Sequence, residues 1–104
     1  IYFQKNVGDT ILDFHVTKNS TSTSASAITS VADDTYLTVA FYYDGVDKID
    51  YYAGTDSANP TWRGRSVTTN LPDNEELTIS FGIQNGEAVA KTMSVDYIFA
   101  SKER

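Results

Sequence analysis

TYLTVAFYYDGVDKIDYYAG, residues 35–54, decides the fold class. Leu37, Val39, Phe41 and Tyr43 fall on one side of an extended chain, and Tyr36, Thr38, Ala40 and Tyr42 on the other. That alternation is the two-residue side-chain period of a strand. Asp44-Gly45 opens a turn, with Gly free to take positive φ, and Val46-Asp47 completes a connection of common hairpin length. The return strand sets Ile49, Tyr51 and Ala53 against Lys48, Asp50 and Tyr52 before Gly54 ends it. The stretch reads as a β-hairpin with one greasy face, and it holds no evident chemistry.

The same alternation recurs on both sides. Upstream, residues 1–5 read as a short strand ended by Asn6-Val7-Gly8-Asp9. Residues 10–18 put Leu12, Phe14 and Val16 one way and Ile11, Asp13, His15 and Thr17 the other, so the two segments make a hairpin. NSTSTS at 19–24 reads as an exposed loop, because Ser and Thr hydroxyls compete for nearby backbone groups. Residues 25–31 are a weaker strand of small residues, and Ala32-Asp33-Asp34 turns it into the central hairpin.

Downstream, TDSANPTWRG at 55–64 breaks the pattern, and Asn59-Pro60 marks a turn there. A short strand is expected at 65–69, then a turn cluster, Asn70-Leu71-Pro72-Asp73-Asn74. Residues 76–84 point Leu77, Ile79, Phe81 and Ile83 inward, and 91–100 place Met93, Val95, Tyr97 and Phe99 on one face. Asn85-Gly86 between them is a strong hairpin signal. The polar residues 101–104 form a fraying tail.

No window places apolar residues at helical spacing for two turns, so almost no helix is expected. The economical solution is all-β: an antiparallel β-sandwich of about eight strands. The 104 residues suffice for a single domain, 1–104, with no repeat or linker to mark a boundary. The start at Ile1, without initiator Met or signal peptide, reads as a fragment or processed piece. Tyr2-Phe3-Gln4 reads as native strand rather than a protease-site scar, since Lys5 follows where scars carry Gly or Ser.

Net charge is −6, so phosphate backbones and anionic membrane surfaces are repelled, which argues against nucleic-acid and membrane partners. No apolar run approaches the ~20 residues that span a bilayer. With no Cys there is neither a disulfide framework nor a thiolate metal site.

Two stretches, LTVAFYYDG…KIDYYAG at 37–54 and MSVDYIFA at 93–100, resemble concanavalin A-like (laminin-G/glucanase) jelly rolls. In that family an apolar strand ends in Tyr-Asp-Gly, its return strand carries Tyr before Gly, and the closing strand carries an Asp-Tyr pair among apolar residues. A wider pattern, the tail half from TTNLPDNEELTISFGIQNGEA to VDYIFASKER together with YFQK…GDTILDFHVTKNSTST at the start, resembles tailed-bacteriophage virion proteins built on this sandwich. The resemblance implies a structural subunit that decorates the capsid. It would bind the major capsid protein or other virion subunits, assemble in the host cytoplasm and form a homo-oligomer. It also leaves a lectin-like, glycan-binding module as the alternative.

Glucanases of the superfamily carry Glu-Ile-Asp-x-x-Glu on one strand, whose alternate acids share a face and serve as nucleophile and general acid. The matching stretch here, residues 48–53, is Lys-Ile-Asp-Tyr-Tyr-Ala; Asp50 stands alone, and no enzyme activity is expected. His15, the sole histidine, has neither triad nor zinc context and reads as a sheet-surface residue. Asp33, Asp34, Asp44 and Asp47 carry the oxygen ligands that calcium takes, but Asp is also the default turn residue, and the turn role is expected. Asn19-Ser20-Thr21 matches the N-glycosylation pattern, which matters only in a eukaryotic secretory pathway. Trp62, flanked by Arg63 and Arg65, either folds back over the sandwich end, anchors a protein contact, or stacks on a sugar. Tyr42 and Tyr52 face away from the greasy side and form a candidate aromatic patch, which the second sheet or a neighbouring subunit would cover.

Overall fold

The computed structural model describes residues 1–68, 70–71 and 76–102, and the described residues contain strands and turns but no helix. The strands are β1 (Tyr2–Gln4), β2 (Ile11–Lys18), β3 (Thr21–Ser30), β4 (Thr38–Tyr43), β5 (Lys48–Gly54) and β6 (Trp62–Val67). They form two three-stranded sheets, ordered β1-β2-β3 and β4-β5-β6. Every pairing is antiparallel between chain neighbours, which short connections dictate.

The central hairpin forms in the expected register, with Tyr43 opposite Ile49 and Phe41 opposite Tyr51. Gly45 takes φ 80°, and Asp44 Oδ1 accepts the amides of Val46, Asp47 and Lys48 at 2.9, 3.1 and 3.1 Å. Those amides have no ladder partner at the tip, so the carboxylate supplies one. The 19–24 stretch is not the expected loop. Asn19 and Ser20, at φ 50° and 64°, make a two-residue turn, and β3 begins at once with Thr21. Both left-handed residues match the twist of the flanking strands. The hydroxyls pair across the strands instead of with their own backbone: Thr17 Oγ1 donates to Ser22 Oγ at 3.0 Å.

The β2–β3 ladder shifts between Leu12 and Phe14, which face Thr29 and Ala25. Ala27, at φ 57°, sits in this bulge, and its amide donates to the buried Asp13 carboxylate at 2.8 Å. Asp13 thus supplies the acceptor that the bulge removed from the ladder.

The sheets meet through alternate residues of their middle strands. Phe14 and Val16 of β2 and Ile49 and Tyr51 of β5 form one buried cluster with Leu71. The Phe14 and Tyr51 rings stack at 4.6 Å, and Phe3 and Phe41 approach Phe14 at 5.1 and 6.4 Å. Gly64 of β6 is buried opposite Tyr51, whose ring fills the space that a Cβ at 64 would need.

This two-layer, sandwich-like arrangement is shut on one side and open on the other. β3 packs against β5 and β6, and Thr23 and Thr68 share a hydroxyl hydrogen bond at 3.0 Å across the layers. On the opposite side β1 and β4 each end a sheet, and nothing in the described ladders pairs with their outer edges.

Residues 76–102 lie along that open side. The expected strands 76–84 and 91–100 are not formed: the described residues there carry no ladder, and Leu77, Ile79, Phe81 and Ile83 are more than half exposed. Alternation makes a strand only when an edge in register satisfies its amides and carbonyls, and none does here. Among the described residues there are thus six strands, against the expected eight or so. Of the turn cluster expected at 70–74, positions 72–74 lie outside the described residues, as does Thr69 of the strand expected at 65–69.

Candidate partner-binding face

The outward face of the second sheet gathers four of the five candidate contact residues. β5 turns Asp50 and Tyr52 outward because Ile49, Tyr51 and Ala53 face the core. Across the ladders, Tyr42 of β4 opposes Asp50, Asp50 opposes Arg65 of β6, and Tyr52 opposes Trp62. Trp62 is not in an irregular loop, as expected from the broken pattern; it opens β6. Nor does it fold back over the sandwich end, since it is 56 % exposed.

Asp50 organises this face. Its Oδ1 accepts from Arg65 Nε at 2.8 Å and its Oδ2 from Arg65 Nη2 at 2.7 Å, a bidentate fork. Oδ1 also accepts the Trp62 indole N–H at 3.2 Å, which fixes the ring edge while much of the residue stays exposed. The Arg65 hydrogen bonds, against desolvation and with a lesser contribution from the Trp62 N–H, hold the Asp50 carboxyl below the usual carboxylate range. The same contact raises Arg65 further. Arg63 stands apart: the β5–β6 register shifts between Tyr51 and Tyr52, Arg63 is the extra residue, and its Nε donates to Ala53 O at 3.0 Å. In sequence Asp50 was notable only as a lone acid. Its partnership with Arg65 depends on that bulge and on the length of the β5–β6 connection, which alternation within β5 does not reveal.

The other candidates are placed elsewhere. Asp33 and Asp34 sit in the β3–β4 turn, with Asp34 at φ 55°, whereas Asp44 and Asp47 sit in the β4–β5 turn at the other end of β4. Asp44 is occupied by three backbone amides, Val46 foremost, and these lower its pKa. Among the described residues no three His, Asp or Glu side chains converge as a metal site would need. His15 lies on the outer face of the first sheet, stacked on Tyr2 at 4.9 Å, with Nδ1 at 2.8 Å from Ser24 Oγ. Asp13, two residues away, is committed to the Ala27 amide.

The face therefore presents a pinned indole, two tyrosines and a charge pair on a rigid sheet. Such a surface suits noncovalent recognition through flat aromatic contacts. No family model, curated protein or solved structure matches this chain.

Proposed function

We propose that the chain is a non-enzymatic structural subunit of a tailed-bacteriophage virion. It docks on the major capsid protein or another virion subunit through the Trp62 face, and it decorates the particle as a homo-oligomer. In this reading the finer fold is an eight-stranded, concanavalin A-like jelly roll. The observation that carries the docking surface is Trp62, exposed yet held by Asp50 and paired across the ladder with Tyr52. Aromatic anchors with restrained rotamers lose little freedom on binding, and they dominate many interfaces. The resemblance of the wider pattern, YFQK…GDTILDFHVTKNSTST with TTNLPDNEELTISFGIQNGEA to VDYIFASKER, supplies the virion context. Density-gradient separation of source particles, followed by mass spectrometry, tests it: the chain is expected at high copy in the particle band. Recovery only as free protein at the top of the gradient overturns the reading.

The exposed Trp62 opposite Tyr52 favours a second reading, a carbohydrate-binding module that stacks a sugar ring on Trp62. Its signature is quenching of Trp62 fluorescence by glycan, lost in Trp62→Ala.

A further inference from the structure

Val39 and Phe41 point from β4 toward the core, yet they are 40 % and 42 % exposed. Beside them the free edges of β1 and β4 flank a space of about 2020 Å³, whose far wall includes Ile79, Phe81, Met93 and Val95. A second space, of about 1890 Å³, is lined by residues 76–82 together with Ile1 and Phe41. The chain bends back at 87–89, where Asn85 Nδ2 donates to Val89 O at 2.6 Å and Lys91 pairs with Glu87 at 3.1 Å. Gly86 lies against Val7 of the β1–β2 turn, and Tyr97 Oη donates to Ser57 O at 3.3 Å. Two legs, 76–84 and 91–100, are thus held beside two unpaired edges.

We propose that these legs dock in cis as the fourth strand of each sheet, one on the β1 edge and one on the β4 edge. Docking turns Leu77, Ile79, Phe81, Met93 and Val95 onto Phe41 and Val39 and closes the open side. Three observations carry this. Both legs alternate apolar and polar residues with the period of the edges they lie beside. The chain exposes 7988 Å² where a compact one of 11.5 kDa exposes about 5,800 Å², so a large apolar area awaits cover. Leu71, buried in the core, tethers the legs, which gives them an effective concentration of order millimolar at their own edges and favours them over a second copy. The inference shares only its strand count with the proposed function and needs no virion.

Hydrogen exchange with mass measurement, over a wide range of protein concentration, tests it. Amides of 76–84 and 91–100 are expected to exchange on the order of a thousandfold slower than in an unstructured peptide, at monomer mass and independently of concentration. Phe81→Asp should abolish that protection while β2 and β5 keep theirs. Ser80→Asp, on the opposite parity, should leave it intact. Protection that appears only with a dimer mass overturns docking in cis but preserves the eight-strand count. Unprotected legs in the unaltered chain overturn both, as does a Phe81→Asp variant that stays protected for docking alone. Neither result bears on whether the chain is found on particles.

Discussion

The two sides of the molecule differ in raw material and, against expectation, in outcome. On the β3–β6 side, β3, rich in Ser, Thr and Ala, and β6, WRGRSV, are laddered and bulged, and a hydroxyl pair links the layers there. On the β1–β4 side, the legs carry Leu77, Ile79, Phe81, Val95 and Phe99 in clean alternation and have no ladder among the described residues. Apolar periodicity is therefore the weaker determinant. A strand forms where backbone groups find an edge in register, and poor side chains suffice once they do.

Core substitution gives the largest expected contrast. Phe14→Ala should cost about 3–5 kcal/mol in urea unfolding, since its ring is buried against Phe3 and Tyr51. Phe81→Ala sharpens the comparison: with docked legs it should cost about 2 kcal/mol or more, and with exposed legs only about 0.5 kcal/mol. Next comes Gly64→Val, whose side chain would enter the Tyr51 ring; a loss of about 1–3 kcal/mol is expected in the same assay. Asp13→Ala should cost about 1–2 kcal/mol and speed exchange of the Ala27 amide, because the bulge loses its acceptor.

Acid offers a smaller effect. Asp44 and Asp50 are depressed below the ordinary carboxylate range in the folded chain. Their stabilisation is fully present above about pH 4 and is lost as pH falls through the folded values. A pH titration of thermal stability should decline there, and Asp50→Asn should make the decline shallower. Trp62→Ala should change stability least, within about 0.5 kcal/mol, while reducing occupancy on particles. Unchanged occupancy would remove Trp62 from the interface.

Much of the first sheet and the central hairpin was legible from alternation, because each has a buried face on one parity. Leu12, Phe14 and Val16 on β2 and Ile49, Tyr51 and Ala53 on β5 were read correctly for that reason. The NSTSTS stretch was misread because Asn and Ser also supply the left-handed residues of a tight turn, and hydroxyls can bond across strands. Of the candidate face, Trp62, Arg65, Tyr42 and Tyr52 were visible as unusual residues, but their convergence on Asp50 was not. That convergence depends on the register between β5 and β6, and the bulge at Arg63 sets it. Alternation also could not show that the two legs carry no ladder among the described residues.

Leu71 has a mechanical consequence. It is 3 % exposed and packs in the cluster with Phe14, Val16, Ile49 and Tyr51. A pull applied to residues 76–102 reaches that anchored side chain before it reaches the rungs between β5 and β6. Load on the C-terminal end is thus shared with the middle of both layers rather than concentrated at one end of a ladder, where rungs would open singly.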